Sequence, residues 1–249
     1  MTTGAAAAIH EAVERQGFAF VHSDEMAALL SSAGKLSDWK EFAASWNELA
    51  LDAHMADGGR YRRRRHAVYA ADTHGPIIRA PHQAHYQSRD YNTLNGGVAR
   101  WFEPVVGSIG GGPALNTILE YCRRFFETLT ANRRWHIEVH QFRIEARAGQ
   151  AGQPTPEGIH RDGVDYVLVL LINRVNVKSA TTTVHALDGR VLGSFTLSAP
   201  LDAALLDDRR VAHGVTAVEP KDERLPAFRD VLVVTWASAE EHAYGAQRL

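Results

Sequence analysis

The feature that most restricts the fold of this chain is a series of short strand-like segments that begins at Trp135. Tight turns separate the segments, and Asp188-Gly189 is the strongest hairpin signal among them. Closely spaced strands with such turns favour a sandwich or jelly roll over a parallel sheet with crossover helices. The predicted strands are Trp135–Ala146, Val164–Asn173, Thr181–Leu187, Val191–Leu197, Ala203–Leu206, Val211–Val218 and Arg229–Trp236.

The first part of the chain has a more helical pattern. Ala5–Gln16 predicts a short helix, and Phe18–Val21 predicts a brief strand after it. Ser37 is placed to cap a helix whose apolar stripe continues to Ala50, with the 3.6-residue period of an amphipathic helix. Pro113 predicts the first turn of another helix with a broad apolar face. We expect this face to pack on the outside of a sheet.

Composition sets the outer limits of the fold and the function. A length of 249 residues with 45% hydrophobic residues predicts one domain over residues 1–249, with a helix-rich part at about 1–132 and a jelly-roll core at about 133–237. A formal charge of -2 gives no general attraction to nucleic acid or membrane. The single cysteine, Cys122, suits a reducing cytoplasm, and the N-terminus lacks the pattern of a signal peptide. We therefore expect a cytoplasmic protein, and its oligomeric state stays open.

Two short motifs predict a metal centre. In an extended segment alternate residues share a face, so His160 and Asp162 point the same way. His213, in the Val-Ala-His-Gly segment some fifty residues later, adds a second imidazole. Two histidines and one carboxylate on one side of an ion leave other positions open, as in non-haem Fe(II) enzymes that activate O2. We predict that these three residues are the metal ligands and catalytic residues, although a chain with 13 histidines also contains chance His-x-Asp pairs.

The last predicted strand begins with an arginine. Arg229 precedes the apolar run that ends at Trp236. A buried guanidinium at such a position is suited to hold a carboxylate through two parallel hydrogen bonds. We interpret Arg229 as an anchor for an acidic cosubstrate. A solvated residue, or a partner for Asp230, is the alternative.

These motifs resemble a known family. The residues that carry the resemblance are His160–Asp165, Leu206–Thr216 and Arg229–Val233, with weaker similarity at Tyr91-Asn92, Gly96-Gly97, Arg100–Pro104 and His140–Arg143. They are similar to bacterial 2-oxoglutarate/Fe(II) dioxygenases that hydroxylate free amino acids, the isoleucine 4-hydroxylase (BsmA-like) group. The resemblance covers roughly residues 60 to 237. The chain departs from the group at Lys178-Ser179-Ala180, where small glycines are expected.

The resemblance implies a fold and an activity. The fold is a double-stranded β-helix, a cupin-like jelly roll of the mainly β or α+β class, with N-terminal and supporting helices. The cofactors are Fe(II), 2-oxoglutarate as cosubstrate, and O2. The reaction is hydroxylation of a C–H bond in a free L-amino acid or close derivative, with release of succinate and CO2. The partner is thus a small molecule, with no nucleic acid and no membrane.

Further polar residues are candidates for the same site. Gln141 and Arg143 share one face of a predicted strand and are interpreted as cofactor-binding residues, with internal salt bridging as the alternative. Tyr69, Asn92 and Arg100 are predicted to bind the substrate, with the two latter residues on a flexible loop. A plain surface loop is the alternative.

Other groups have less specific patterns. His136 and His140 share a strand face, and we interpret them as structural because no neighbouring acid supports a second metal; His82 and His85 stay ambiguous. The run Arg62–Arg65 invites a nucleic-acid interpretation. In a strand, however, its charges divide between two faces, so a solvated edge is the first expectation and one arginine at a substrate carboxylate is the second.

Two other classes of function stay open on the sequence. A metal-binding cupin-like protein without oxygenase activity would share the ligands and the barrel. A dioxygenase that modifies a protein or nucleic acid would use Arg62–Arg65 to bind the polymer, with a steep dependence on salt. The near-neutral charge makes the polymer the weaker of these two.

Overall fold

Two antiparallel sheets of unequal size form the centre of the computed structural model, which describes residues 2–130 and 133–240. The strands are β1 (Phe18–Val21), β2 (Ala50–Leu51), β3 (Arg62–Ala71), β4 (Ile78–Arg79), β5 (Trp135–Ala146), β6 (Tyr166–Val175), β7 (Thr182–Ala186), β8 (Val191–Phe195), β9 (Ala203–Asp207), β10 (Val211–Val215) and β11 (Ala227–Ser238). The larger sheet has the order β1-β9-β6-β11-β5-β3-β2, with β4 beside β3, and the smaller has the order β10-β7-β8.

Helices cover the outer face of the larger sheet. They are α1 (Thr2–Gln16), α2 (Ser23–Ala33), α3 (Trp39–Ala44), a short 3-10 helix (Ser45–Glu48), α4 (Gly107–Gly110) and α5 (Pro113–Leu129). The apolar face of α5 packs into the main core, where Phe126 stacks on Tyr166 at 4.7 Å. No helix within the described ranges has the length and apolarity that a membrane span requires.

The alternation of side chains along β11 shows how the sheet divides the molecule. Leu232, Val234 and Trp236 point outward into the core under the helices. Val231 and Val233 point inward and line a cavity. A second set of apolar residues joins the inner faces of the two sheets, with Val167 of β6 beside Val184 of β7. Both faces of the larger sheet are therefore covered, one by helices and one by the smaller sheet.

The predictions for the second half of the chain are confirmed. All seven predicted strands form, with ends shifted by up to three residues. Asp188 and Gly189 lie in the turn between the antiparallel strands β7 and β8, and Gly189 has a φ of 88°, which suits glycine. The predicted helix at Pro113 is also confirmed as α5.

The predicted helix from Ser37 to Ala50 is wrong in its bounds and its cap. Asp38 occupies the N-cap position of α3, and its carboxylate accepts a hydrogen bond from the Ala114 N–H. The chain then continues as the 3-10 helix, in which the Trp46 indole N–H points toward main-chain carbonyls of the larger sheet. Ala50 already lies in β2.

The sequence interpretation also missed α2, and it considered a strand only for the arginine run at the start of β3. β3 lies between β5 and β2 in the larger sheet, so the helix-rich part supplies a long strand to the core sheet. Its run of arginines hid the strand pattern. Arg62 and Arg64 are buried, and Asp52 lies within ion-pair distance of both.

The loop after β6 closes without the expected glycines. Asn176 and Ala180 adopt left-handed backbone conformations, with φ values of 55° and 68°, which glycine takes at lower cost. The Arg174 guanidinium donates hydrogen bonds to the carbonyls of Val177 and Ser179. This contact shapes the loop in place of glycine.

Candidate metal centre and active-site cavity

A cavity of about 780 Å³ lies between the two sheets and contains the predicted metal ligands in its lining. Inward-facing residues of β3, β5, β6, β9 and β11 form one side of it. The segment 154–165, with β10 and the loop 85–92, contributes further walls. The volume is in the range of a small-molecule site.

Two main-chain hydrogen bonds hold His160 beside His213. The His160 N–H donates to the His213 carbonyl at 2.9 Å, and the His213 N–H donates to the His160 carbonyl at 2.8 Å. The ring centroids are 4.7 Å apart. His213 belongs to β10, whereas His160 forms only an isolated bridge in a loop, so the extended strand expected around His160 is limited to this one pair.

Asp162 brings its carboxylate to both imidazoles. Its Oδ1 lies 3.7 Å from His160 Nε2, and its Oδ2 lies 3.9 Å from His213 Nε2. One donor atom from each of the three residues lies within 4.8 Å of the others. Ligands at about 2.1 Å from one ion are roughly 3 Å apart, so small inward shifts suffice for chelation.

The tautomer of His160 suits a metal ligand. Its Nδ1–H donates to the Gly158 carbonyl at 3.1 Å, which directs Nε2 toward Asp162. Such a hydrogen bond on the far nitrogen orients a ligating imidazole. His213 Nδ1 is buried without a hydrogen-bond partner among the residues that the structure describes.

The charges of the three residues are coupled. Burial and the Asp162 carboxylate act in opposite directions on His160, and the net effect raises its pKa to about 9. Burial and the neighbouring His160 charge lower the pKa of His213 to about 4. Burial raises the pKa of Asp162, but the two imidazoles outweigh it and bring that pKa well below its usual range. These shifts favour an ionised Asp162 carboxylate beside the two imidazoles.

Asp208 holds the loop that carries Asp162, a role that the sequence interpretation missed. Its carboxylate accepts hydrogen bonds from the N–H groups of Asp162, Gly163 and Val164 at 2.9, 2.8 and 3.1 Å. Gly163 has a φ of 81°, and a Cβ there would lie 2.4 Å from the Tyr91 ring. Burial and the Asp162 charge raise the pKa of Asp208 to about 7, against the effect of the three donors.

Asn92 lines the cavity as predicted, but its side chain has protein partners. Its amide donates to Gln87 Oε1 at 3.0 Å and accepts from the Asn95 N–H at 2.7 Å. Gln87 in turn donates to the Asp162 carbonyl at 3.0 Å. Asn92 is therefore linked through Gln87 to the loop that carries Asp162. A direct contact between Asn92 and the substrate stays a prediction.

Arg229 is a buried cation in the cavity lining. Its residue surface is 2% exposed, and its Nε and Nη2 have no hydrogen-bond partner within the described ranges. Burial, with the nearby charge of Arg174, lowers the pKa of Arg229 to about 10. An unpaired buried guanidinium is costly unless an anion completes it. The geometry therefore suits the predicted carboxylate anchor.

Three predicted site residues do not face the cavity, which corrects the sequence interpretation. On β5 the even-numbered side chains from 136 to 144 point inward, so Gln141 and Arg143 point outward. Gln141 donates to Ser45 Oγ, and Arg143 forms a two-pronged ion pair with Asp230. Tyr69 lies in the main core and donates to the Gly110 carbonyl. Gln141 and Arg143 as cofactor-binding residues, and Tyr69 as a substrate-binding residue, are therefore wrong.

The arginine run divides between the two faces of β3. Arg62 and Arg64 line the cavity and are almost fully buried, so the expected solvated edge is wrong for them. Arg63 pairs with Glu145, and Arg65 donates to main-chain carbonyls. The inward pair adds positive charge to the cavity wall.

A second cluster of titratable groups surrounds Glu138. His85 Nδ1 lies 2.6 Å from Glu138 Oε2, and His140 Nε2 and His66 Nε2 lie 3.3 and 3.5 Å from it. His136 Nε2 lies 3.4 Å from Oε1. The interpretation of His136 and His140 as lacking a neighbouring acid is therefore wrong. The sequence signal was available, because Glu138 stands between them on the same strand face.

Comparisons with known proteins support the sequence resemblance. L-isoleucine-4-hydroxylase of Bacillus thuringiensis is 28% identical over 160 residues, which are 63% of this chain and 66% of that enzyme. The 3(1)-hydroxy-L-isoleucine 4-dioxygenase of Pantoea ananatis (strain AJ13355) is 22% identical over 237 residues, which are 92% of this chain and 95% of that enzyme.

Solved structures confirm the double-stranded β-helix fold. A BsmA homologue from Methylobium petroleophilum PM1 is 38% identical, covers 94% of this chain and 93% of its own, and superposes with a TM-score of 0.86. IDO from Bacillus thuringiensis, at 19% identity, has the same fold with a TM-score of 0.75 and covers 94% of this chain and 99% of its own. A sequence model described as 2OG-Fe dioxygenase matches residues 43–235. Because this match spans most of the chain and contains both metal motifs and Arg229, the chain belongs to the 2OG-Fe dioxygenase family.

Proposed function

We propose that this enzyme hydroxylates a C–H bond of a free L-amino acid or a close derivative, with Fe(II) held by His160, Asp162 and His213. The observation that carries the proposal is the coexistence, in one cavity, of this donor set and the buried, unpaired guanidinium of Arg229. The substrate class is supported by the curated relatives, whose names specify isoleucine and a hydroxyisoleucine.

The residues present fit the metal and the cosubstrate of the family. Two imidazoles and one carboxylate on one side of an ion are the donor set of Fe(II) oxygenases with open positions. When bound together with 2-oxoglutarate and O2, the iron supplies oxidation: one oxygen atom enters the substrate C–H bond, and the other enters succinate as 2-oxoglutarate loses CO2. The protein supplies orientation and a controlled environment.

Arg229 is the residue that we assign to the cosubstrate. Its planar guanidinium offers two parallel N–H groups to the carboxylate far from the metal. Binding would also pair a charge that has no partner within the described part of the chain. Cosubstrate binding and pairing of the buried charge together explain why a buried arginine lies near the start of β11.

The apolar part of the cavity excludes water and accepts an aliphatic side chain. It is lined by Phe142, Ile144, Val169, Leu206, Val231 and Val233. These residues come from several strands of the larger sheet and lie on its inner face. Water exclusion protects the oxidising centre from side reactions and strengthens the electrostatic contacts of bound ligands.

Spectroscopy and product analysis test the proposal in two steps. Fe(II) and then 2-oxoglutarate are added without oxygen, and the visible charge-transfer absorption of the chelate is recorded. Aliphatic L-amino acids are then supplied with O2, and succinate and hydroxylated product are measured. Folded, iron-loaded protein without the absorption would contradict the chelating site. A chelate that gives no substrate-dependent succinate with any amino acid would contradict the substrate class.

A further inference from the structure

Arg100 is a second buried cation in the cavity, with a cation–π contact to Phe102 but no ion-pair partner among the described residues. Its residue surface is 3% exposed, and its Nε has no hydrogen-bond partner among the described residues. None of the described carboxylates lies within 4.0 Å of its guanidinium. Its main chain is fixed, because it exchanges two hydrogen bonds of 2.9 Å with His85. The backbone that carries Arg100 is thus fixed, and the described residues place no carboxylate within ion-pair distance of its guanidinium.

Glu157 is a buried anion in the same cavity, beside the metal ligands. Its side chain is 9% exposed, its Oε1 lies 3.5 Å from His160 Nε2, and its Oε2 has no hydrogen-bond partner within the described ranges. It occupies a tight turn in which the Gly158 N–H donates to the Thr155 carbonyl at 2.9 Å. Thr155 Oγ1 accepts from the Val215 N–H at 3.0 Å, which fixes the turn to β10.

These two residues together suit a ligand with one positive and one negative charge. Both side chains line the same cavity. Burial and the Arg62 charge lower the pKa of Arg100, and Asp52, then Glu157, oppose this shift. We propose that Arg100 and Glu157 form the subsite for the head group of an α-amino acid: Arg100 binds the α-carboxylate, and Glu157 accepts a hydrogen bond from the α-ammonium. The inference rests on the proposed function, because it assumes an amino-acid substrate.

Glu138 is the competing carboxylate, and its surroundings make it a poorer ammonium acceptor. Four imidazoles already face its two oxygens at 2.6 to 3.5 Å. Arg64 Nη2 donates to His140 Nδ1 at 2.8 Å, so a neutral His140 carries its proton on Nε2, which faces Glu138. Glu138 thus has donors, whereas Glu157 Oε2 has none among the described residues.

The same contacts argue against a metal ion in the Glu138 cluster. His66, His85, Glu138 and His140 place one donor atom each within 4.8 Å of one another. A ligating His140 Nε2 would have to give up its proton while Nδ1 accepts from Arg64. The guanidinium of Arg64 also adds a positive charge directly beside the cluster. A hydrogen-bonded support for the cavity wall is therefore the better interpretation.

Equilibrium binding to the anaerobic Fe(II)–2-oxoglutarate complex tests the subsite without turnover. The probes are L-isoleucine, L-leucine and L-valine, each with its des-amino acid and its carboxamide. The variants are Glu157→Gln, Arg100→Met and, as a control outside the cavity, the exposed Glu103→Gln. Calorimetry gives the affinities, and the absorption of the chelate shows that each variant retains iron and 2-oxoglutarate.

Each variant is expected to lose affinity only for ligands that carry the group which the replaced residue binds. Glu157→Gln should weaken binding of the amino acids about 10- to 100-fold, as for one buried charge-assisted hydrogen bond, and leave the des-amino acids unchanged. Arg100→Met should weaken acids by a similar factor and leave carboxamides unchanged. Glu103→Gln should change neither.

Several results would overturn the subsite. One is an equal loss for amino acids and des-amino acids in Glu157→Gln. Another is loss of iron affinity alone in that variant, which would make Glu157 a metal ligand. A third is a wild-type chelate that binds none of the amino acids. Amino-acid binding with the expected pattern but without succinate formation would support the subsite and contradict the proposed hydroxylation.

Discussion

His160 and Asp208 together fix the loop that carries Asp162, and they do so through hydrogen bonds on either side of that residue. The His160 main chain is hydrogen-bonded to that of His213. The Asp208 carboxylate accepts hydrogen bonds from the N–H groups of Asp162 and the two residues after it. The carboxylate of Asp162 is therefore positioned by main-chain contacts on both sides. The precision of the candidate metal centre depends on this loop.

The first prediction concerns Asp208. Replacing it with alanine removes the acceptor for three N–H groups, so the Asp162 loop loses its support. We expect the affinity for Fe(II), or for Co(II) as a stable substitute, to fall about 10- to 100-fold. Metal titration of the purified protein measures this change.

Asp202 provides a matched control for Asp208. It is also buried, and its carboxylate accepts the N–H groups of Ser23, Ser198 and Ala199 in a region that supplies no ligand. Asp202→Ala should lower the free energy of unfolding but leave metal affinity unchanged. Equal metal affinities in the two variants would contradict the role of Asp208.

The second prediction compares Arg229 with Arg143. Arg229→Met should weaken 2-oxoglutarate binding about 100-fold, because two charge-assisted hydrogen bonds are lost. Arg143→Met should leave that affinity unchanged, since Arg143 lies on the outward face of β5 and pairs with Asp230. Anaerobic titration of the chelate absorption measures both dissociation constants.

The free energy of unfolding should distinguish the same two variants in the opposite order, with the larger loss in Arg143→Met. Without cosubstrate, Arg229→Met removes a buried charge that is unpaired within the described residues, so it should not lower the free energy of unfolding. Arg143→Met leaves the buried Asp230 carboxylate without its cation and should cost about 3 kcal/mol. A large loss of stability in Arg229→Met would mean that the arginine has a structural partner.

The positions of the strands from Trp135 onward and the ligand motif were predictable from the sequence for a simple physical reason. Short runs rich in β-branched residues and bounded by turn residues are a local signal for strands, and the His-x-Asp spacing is local as well. His213 required the surrounding block, because no local rule connects it to His160. The backbone bridge between the two is a long-range contact.

Which side chains of β5 point into the cavity could not be predicted from the sequence in this way. Both of its faces are covered, so the polar side is the cavity wall and not solvent. His136, Glu138 and His140 point inward, whereas Ile137 and Val139 pack under the helices. The sequence interpretation took the odd-numbered face of β5 as the cavity face, which placed Gln141 and Arg143 in the site. Asp208 was missed because its role depends on contacts with a distant segment.

The third prediction concerns removal of the metal. A ligand that binds only the folded state stabilises it in proportion to the logarithm of its concentration over Kd. Anaerobic Fe(II) should therefore raise the Tm of the wild type. Asp162→Ala should abolish both this rise and iron-dependent turnover while the protein stays folded. Differential scanning calorimetry with and without a chelator measures the shift, and a retained shift in the variant would remove Asp162 from the ligand set.

The fourth prediction concerns the ion pair beneath the arginine run. Asp52 lies 2.8 Å from Arg62 and 3.8 Å from Arg64. Burial raises the pKa of Asp52, but the two guanidiniums outweigh it, and the net effect lowers the pKa below its ordinary value of 3.8. A carboxylate with a lowered folded-state pKa stabilises the fold above its unfolded-state pKa, and this contribution disappears as the pH falls through the folded-state pKa.

Asp52→Asn should therefore lower the free energy of unfolding by about 3 kcal/mol at pH 7, as for a broken buried ion pair. The difference from wild type should be constant from pH 7 to about pH 5 and should shrink below about pH 4, because the carboxylate of the unfolded wild type then takes up a proton while the folded one is still ionised. Urea unfolding of both proteins across this pH series measures the difference. A gap that stays constant down to pH 3 would show that Asp52 contributes by packing and hydrogen bonding to His54, and not by its charge.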